Sequence, residues 1–240
     1  MTIADHIIQY ALTQNEPFQL VELMQYLDSQ NISRTSAKVV LYRLLRSGRL
    51  EKVGRGLYRL PAKHNREFLY SPSKKELTLA RQIRDKFPFA DFCIWKPAVL
   101  IPYMQHIPAL SIIFVDVEKV AAESVFYFLQ GLQEHKTVLL NPTMQECERY
   151  ITSDDIIIVR TLINEAPVVS MQNYFTPTIE KILVDAAGDK ELLFAQGAEL
   201  YTIYENAFQT HDVNVSRLLR YAARRNRKDK IEKILKTLEQ

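Results

Sequence analysis

The residues best suited to chemistry in this chain are concentrated in one short basic segment. Residues 31–60, NISRTSAKVVLYRLLRSGRLEKVGRGLYRL, carry eight Lys/Arg and a single acid, Glu51. So one-sided a segment is unusual in a chain of 240 residues whose formal net charge is only +3. Cationic side chains at this density attract polyanions, above all the phosphate backbone of nucleic acid.

The charge of the whole chain is also unevenly distributed. Residues 1–63 hold nine Lys/Arg against five Asp/Glu, and residues 64–216 hold thirteen against twenty. Residues 217–240 hold nine against three. An acidic middle therefore separates two basic ends, which is the asymmetry expected if one or both ends meet a polyanion.

Candidate catalytic residues are few. In FVDVEK, the residues Asp116, Glu118 and Lys119 follow a buried strand and faintly resemble the carboxylate–lysine cluster of metal-dependent nucleases, but their spacing does not fit. Asp116 is more simply explained as a cap of the following helix. The chain has only six glycines and contains neither a P-loop nor a dinucleotide fingerprint. We therefore expect no catalytic activity and no cofactor.

Metal-ligand spacing is also missing. The five histidines are scattered along the chain, at His6, His64, His106, His135 and His211. Zinc sites place their ligands in short paired motifs, which these positions do not form. We expect no metal site.

Three helices and a hairpin are predicted to position the basic segment. Thr2 can cap a first helix, a second covers QLVELMQYLDSQ, and Ser33 or Thr35 opens a third that ends at Ser47-Gly48. Two strand-like runs follow, RLEKV and GLYRL, joined by a turn with Arg55 at its tip. This order is typical of a winged helix-turn-helix domain, which we place at residues 1–62.

In that architecture the third helix lies in the major groove, with its N-terminal half nearest the base edges. Arg34, Thr35, Ser36 and Lys38 are therefore the candidates for base or near-base contacts. Arg43, Arg46 and Arg49 are expected to touch phosphates, and Arg55 to meet the minor groove or the backbone. Tyr42 fits the core or the DNA-facing side equally well. A winged helix can also serve as a protein-contact module, with these charges merely solvated. The candidate DNA-binding residues are Arg34, Thr35, Ser36, Lys38, Tyr42, Arg43, Arg46 and Arg55.

A polar, proline-containing segment, residues 63–76, is predicted to be a linker to a second domain at residues 77–240. Four strands alternate with helices in this domain, which indicates a small α/β sheet covered by helices. Beyond Phe175 the pattern becomes wholly helical, with Pro177 at a helix start. The predicted strands are residues 90–95, 109–117, 136–141 and 155–160, and the predicted helices between them are residues 96–106, 118–132 and 143–151.

The C-terminal run RLLRYAARRNRKDK is predicted to be a helix with arginines on its outer side. This side is either a solvated face, a second contact to the DNA backbone, or a docking surface for an acidic partner. The candidates for this second basic surface are Arg217, Arg220, Arg224 and Arg225.

The sequence favours a cytoplasmic location. No apolar run approaches the ~20 residues that a membrane span requires. The N-terminus lacks the basic start and the small-residue cleavage site of a signal peptide. Cys93 and Cys147 are far apart and outside any paired-cysteine motif, which favours two buried free thiols.

These features resemble a known family. The leading segment RTSAKVVLYRLLRSGRLEKVGRGLYRL, together with FVDVEKVAAESVF and PTIEKILVDAAGD in the second domain, is similar to AbiEi-like antitoxins of type IV toxin–antitoxin systems. The resemblance implies a bacterial protein that binds inverted repeats in its own promoter through the winged helix. It also implies a second domain that counters a nucleotidyltransferase-like toxin, with no need for a stable complex.

We therefore expect a chain of the α+β or α/β class. Its N-terminal winged helix-turn-helix is followed by a mixed α/β domain that ends in a helical bundle. The expected function is that of a DNA-binding transcription regulator, an autoregulating antitoxin without enzyme activity. The alternative is an enzyme acting on nucleic acid, a nuclease or nucleotidyltransferase with a winged-helix targeting domain.

Overall fold

Three helices and a small sheet form the first of two structural units. A computed structural model describes residues 2–14, 17–61, 67–106, 108, 111–132, 137–151 and 156–238. The first unit comprises Met1–Glu67 and Phe208–Asp212, and the second comprises Phe68–Ala207 and Val213–Gln240.

The helices of the first unit begin at residues that cap them. Thr2 accepts a hydrogen bond from the backbone of Asp5, whose carboxylate accepts one from Thr2 in return, and Ser33 accepts one from the Ser36 backbone. Their apolar stripes meet in one core around Ile7, Leu23 and other buried side chains. The three helices are α1 (Ile3–Thr13), α2 (Leu20–Ser29) and α3 (Arg34–Arg46).

A three-stranded antiparallel sheet completes this unit. Its strands are β1 (Phe18–Gln19), β2 (Glu51–Gly54) and β3 (Leu57–Arg59), in the order β1-β3-β2. The hairpin of β2 and β3 agrees with the two predicted strand-like runs. The two-residue strand β1 was not predicted, because so short a run has no alternation that could reveal it.

The second unit contains a mixed sheet of six strands in the order β6-β7-β5-β4-β9-β8. Strands β5, β6 and β7 are mutually parallel, β4 runs antiparallel to β5, and β8 runs antiparallel to β9. The strands are β4 (Phe92–Trp95), β5 (Ile112–Val117), β6 (Thr137–Leu140), β7 (Ile156–Thr161), β8 (Val168–Ser170) and β9 (Phe175–Pro177).

Helices surround this sheet. Two 3₁₀ helices, Pro97–Tyr103 and Lys190–Ala195, accompany the α-helices, and Leu79, Val125 and Leu129 lie in the core of the unit. The α-helices are α4 (Lys74–Lys86), α5 (Ala122–Gly131), α6 (Met144–Tyr150), α7 (Ile179–Ala186), α8 (Ala198–Thr210), α9 (Val215–Arg224) and α10 (Lys228–Leu238).

The class is therefore mixed α+β, and the four predicted strands of the second unit are confirmed within the described residues. Residues 109, 110, 136 and 155 of those predictions lie outside the described residues. The helical prediction beyond Phe175 is confirmed from Ile179 onward, but Thr176 and Pro177 still belong to β9, which pairs with β4 and, on its other side, with β8. Pro177 ends that strand, and α7 begins at Ile179 with Thr178 at its N-cap position. Three-residue strands are too short to show a period in the sequence.

The predicted linker and the thiols complete the comparison. Residues 63–66 of the linker lie outside the described residues, and its last residues already belong to α4, which Ser73 caps. Cys93 and Cys147 are buried free thiols, as predicted. None of the helices in the described parts of the chain combines the length and the apolar character needed to cross a membrane.

We expect Leu44→Ala to destabilise the first unit by about 2–5 kcal/mol, because it leaves a cavity beside a side chain that is only 3% exposed. Urea denaturation of the full chain, with hydrogen exchange of α1–α3 as the local readout, measures this loss. Val39→Ala on the same helix is the control, since Val39 is 50% exposed. Equal losses in the two variants would contradict the assigned packing face of α3.

Candidate nucleic-acid interface and buried charged cluster

The basic segment presents one exposed face of α3. Ala37, Leu41 and Leu44 are the buried residues of this helix, so its opposite side is left in solvent. All of the helix residues proposed as DNA contacts are exposed: Arg34, Thr35, Ser36, Lys38, Tyr42, Arg43 and Arg46. We call this set the α3 face.

Most cations of the α3 face have no acidic partner among the described residues. Lys38, Arg43 and Arg46 make no ion pair with any carboxylate in the described parts of the chain. Arg34 differs, because its Nη2 lies 2.6 Å from Oδ2 of Asp28. Hydrogen bonding from Arg34 lowers the pKa of Asp28 below its ordinary value. The first predicted base contact is thus engaged within the protein.

Tyr42 is resolved as a surface residue. Its side chain is 65% exposed, and Val39, one helical turn earlier, is 50% exposed. Tyr42 therefore belongs to the α3 face and not to the core, which the sequence left open. An exposed aromatic ring between cationic side chains offers a contact surface with both apolar and polar character.

The hairpin tip carries Arg55 into solvent. Gly56 adopts a φ of 74°, in the left-handed region that glycine enters without a steric penalty, and its carbonyl accepts a hydrogen bond from Leu20. The turn is thereby fixed between β2 and β3. Arg55 is exposed, and it has no ion-pair partner among the residues that the structure describes.

The second basic surface predicted at the C-terminus is only partly present. Arg220 is exposed, Arg217 lies 3.7 Å from Glu180, and Arg224 lies 2.5 Å from Glu165. The placement of Arg225 on this surface was wrong. Its side chain is only 19% exposed and it donates a hydrogen bond to Asp189, because an acidic patch attracts it inward.

Asp116 is not a helix cap, contrary to the prediction. It lies inside β5, 2% exposed, and α5 begins at Ala122 after Ala121 in the cap position. Its oxygens accept hydrogen bonds from Trp95 Nε1 at 2.9 Å, Arg160 Nε at 2.6 Å and Lys181 Nζ at 2.6 Å. The lysine that completes this arrangement comes from α7, and the neighbouring Lys119 is exposed.

Asp116 belongs to a buried charged cluster, which we define as Asp116, Arg160, Lys181, Asp185 and Asp189. Asp116 and Arg160 are direct partners in the parallel pairing of β5 and β7. Lys181 and Asp185 lie one turn apart on α7, and their Nζ and Oδ2 atoms are 2.7 Å apart. Arg160 Nη1 reaches Asp189 Oδ2 at 2.9 Å, which connects the sheet to the segment after α7.

Aromatic rings line this cluster. The Arg160 guanidinium lies 3.8 Å from the ring centre of Phe114, and Lys181 Nζ lies 5.1 Å from that of Trp95. The Tyr221 hydroxyl donates to Asp185 at 3.0 Å. Hydrogen bonds and aromatic ring faces, all from residues of the chain, therefore stabilise these buried charges.

Electrostatics keep the cluster ionised. Burial raises the pKa of Asp116, but the nearby Arg160 and Lys181 outweigh this effect, so that its pKa lies well below the ordinary value. For Asp185, burial also raises the pKa and nearby cations lower it, and its pKa lies below the ordinary value. Glu191, at the border of the cluster, has a raised pKa because burial prevails there.

A left-handed turn brings two further arginines to Asp189. Asn226 has a φ of 53°, and it separates Arg225 from Arg227 between α9 and α10. Arg227 Nη2 lies 2.6 Å from Asp189 Oδ1, the oxygen that Arg225 also contacts. Asp189 thus accepts hydrogen bonds from three guanidinium groups.

The cluster opens into a cavity of about 340 Å³. Its lining includes Asn141, Arg160 and Thr161, at the carboxyl ends of β6 and β7, and both arginines of the Arg225–Arg227 turn. The described residues contain no group of three or more His, Cys, Asp or Glu side chains that could hold a metal ion. His64 and His135 lie outside the described residues.

Comparison with known proteins identifies the family of the chain. Residues 36–240 match the model of a family of unknown function, DUF6577, so the chain belongs to this family. The match covers most of the first unit's α3 and all of the second unit. No curated protein matches the chain.

We expect Asp116→Asn to lower the free energy of unfolding by about 3–5 kcal/mol, because it leaves Arg160 and Lys181 buried without a full partner. Denaturant unfolding of the full chain measures the change. Asp28→Asn, which removes the exposed carboxylate beside Arg34, is the matched control and is expected to leave stability almost unchanged. A similar loss in both variants would refute the central role of the cluster.

The pH dependence of stability follows from the same carboxylates. The folded-state pKa values of Asp116 and Asp185 lie below the ordinary 3.8, so their contribution to stability is fully present above about pH 4. It is lost as the pH falls from there toward the folded-state values. We expect thermal unfolding measured from about pH 5 down to about pH 2 to show this loss, with a shallower dependence in Asp116→Asn.

Proposed function

We propose that the chain is a DNA-binding transcription regulator in which residues 1–62 act as a winged helix-turn-helix. The observation that carries this proposal is the α3 face, where Lys38, Arg43 and Arg46 project into solvent without acidic partners in the described parts of the chain. A cationic helix face of this kind suits a groove lined by phosphates. Arg55 at the hairpin tip supplies a cation on a second element.

Each part of the α3 face has its own proposed role. Thr35, Ser36 and Lys38, in the first turns of α3, lie nearest the base edges and choose the site. Arg43 and Arg46, in the last turn, bind phosphates and supply affinity. Arg34 contacts a base edge only after its ion pair with Asp28 is broken. Tyr42 contacts the backbone or a thymine methyl group.

The second unit is proposed to carry antitoxin activity. The chain resembles AbiEi-like antitoxins, and the segment PTIEKILVD that carries part of this resemblance contains Lys181 and Asp185 of the buried charged cluster. On this proposal the protein represses its own promoter in the bacterial cytoplasm through inverted repeats. Its partner is a nucleotidyltransferase-like toxin, which it counters without a lasting complex.

The remaining arginines of the second basic surface are Arg217, Arg220 and Arg224. We assign them to the DNA backbone or to an acidic partner, since Arg220 is exposed and the other two are only partly engaged. The enzyme alternative has less support. Asp116, the carboxylate nearest to a nuclease pattern, has both oxygens occupied by Arg160, Lys181 and Trp95.

We expect Lys38→Ala/Arg46→Ala to weaken binding to DNA from upstream of the protein's own gene, because both residues are exposed cations of the α3 face. A mobility-shift titration at several salt concentrations is the measurement. Each lost phosphate contact reduces the slope of log K against log salt by about 0.9. Arg55→Ala tests the hairpin tip separately.

Arg81→Ala is the control for these variants, because Arg81 is an exposed cation on α4 of the second unit. It is expected to bind like the wild type. Site-preferring, salt-sensitive binding that only the first-unit variants lose supports the regulator. Wild-type binding with no preference over unrelated DNA of equal length would contradict the proposal of a transcription regulator.

We expect co-expression of the chain to relieve growth arrest by the toxin encoded next to its gene, if the antitoxin proposal is correct. Growth of a bacterial host on inducing medium is the measurement. Lys38→Ala/Arg46→Ala is expected to retain protection, since the second unit is intact in that variant. Protection that is absent with the wild type, expressed at a verified level, contradicts the antitoxin proposal while leaving DNA binding untouched.

A further inference from the structure

The cavity beside the buried charged cluster lies where α/β sheets commonly hold ligands. It sits outside the carboxyl ends of the parallel strands β5, β6 and β7, close to Asp116, Asn141 and Thr161. Ligands of open α/β sheets bind at this edge, where strand ends and loops leave a crevice. A volume of about 340 Å³ is within the range of small-molecule sites.

Cations exceed anions around this cavity. Five Lys/Arg side chains line it against four acids, and one of the acids, Glu191, is buried at the border where its charged form is disfavoured. The lining cations are Arg160, Lys181, Lys190, Arg225 and Arg227, and the lining acids are Asp116, Asp185, Asp189 and Glu191.

The cations differ in their availability. Lys181 and Arg160 are fully engaged with Asp116 and Asp185 or Asp189. Arg225 and Arg227 share one oxygen of Asp189, although each guanidinium has five N–H donors. Lys190 is half-buried at the cavity and forms no ion pair with a carboxylate of the described residues.

The turn that carries the two arginines is tightly fitted. A Cβ atom added to Gly188 would lie 2.7 Å from Arg227 Nε, so only glycine lets that guanidinium lie against the backbone here. Arg227 also donates to the carbonyl of Val184 at 3.0 Å. The close approach to Gly188 and the hydrogen bond to Val184 therefore hold Arg227 in place at the cavity.

We propose that this cavity binds a small organic phosphate, whose phosphate group contacts Lys190, Arg225 and Arg227. Paired guanidinium groups with a nearby ammonium match the several oxygens of a phosphate better than the two of a carboxylate. The organic part lies against Leu162 and Ile163, which line the same cavity. A free phosphate ion would fill only a small part of this volume.

The site lies wholly within the second unit, and it does not depend on DNA binding by the α3 face. Failure of the DNA experiment therefore leaves this proposal standing, and the reverse also holds.

Isothermal titration calorimetry of the full chain tests the proposal with three probes: inorganic phosphate, pyrophosphate and AMP. We expect AMP to bind more tightly than inorganic phosphate. Lys190→Glu is expected to weaken AMP binding at least about tenfold, since one charge-assisted contact is replaced by repulsion. Gly188→Ala, which displaces Arg227 without altering any charge, is expected to weaken it as well.

Arg81→Glu is the matched control. It makes the same charge change at an exposed position of α4 that does not line the cavity. Thermal unfolding of each variant without ligand establishes that it is folded, and a rise in the wild-type midpoint with AMP supports binding to the native state.

Three results would overturn the proposal. The first is no heat and no midpoint shift with any probe at millimolar concentration, and the second is equal weakening by Arg81→Glu and Lys190→Glu, which indicates general surface attraction. The third is binding of inorganic phosphate as tight as that of AMP, which assigns the cavity to the free ion and removes the organic part of the ligand.

Discussion

The second unit is organised around ionised side chains that have been withdrawn from water. Transfer of Asp116, Arg160 and Lys181 from water is costly, and it is offset only because each charge meets an opposite charge at 2.6 Å or a ring face. Four segments must therefore come together in one arrangement: β5, β7, α7 and the segment after α7 that carries Asp189. The apolar core brings these segments together, and the buried charges favour the one arrangement in which each charge lies beside its partner.

The arrangement also explains why the charges are so far apart in the sequence. Asp116 and Arg160 are each the penultimate residue of an apolar strand, and parallel pairing places them side by side. Lys181 and Asp185 lie on a helix whose residues are all buried. A charged residue within an apolar run indicates a buried ion pair. The sequence does not show which of these charged residues pair with one another.

Much of the local structure could be predicted from the sequence. Caps such as Ser33 and Ser73, the apolar stripe of α3 and the glycine-flanked hairpin depend on neighbours within a few residues, so their signals are local. The inward position of Arg225 could not be predicted. Helical periodicity placed it beside Arg224 on an outer surface, whereas long-range attraction to Asp189 and the left-handed Asn226 decide its direction. The short strands β1, β8 and β9 were missed because only their partners define them.

If the chain binds DNA as proposed, the ion pair of Arg34 and Asp28 has a consequence for discrimination between DNA sequences. A carboxylate that already holds the arginine acts as an internal competitor, so a DNA site gains from Arg34 only when its own acceptors match those of Asp28. On unrelated DNA, Arg34 then stays bound to Asp28, and the carboxylate of Asp28 repels the phosphates. On the proposed function, a single aspartate on α2 thus lowers the affinity for unrelated DNA more than the affinity for the proper operator, and it sharpens the choice without touching a base.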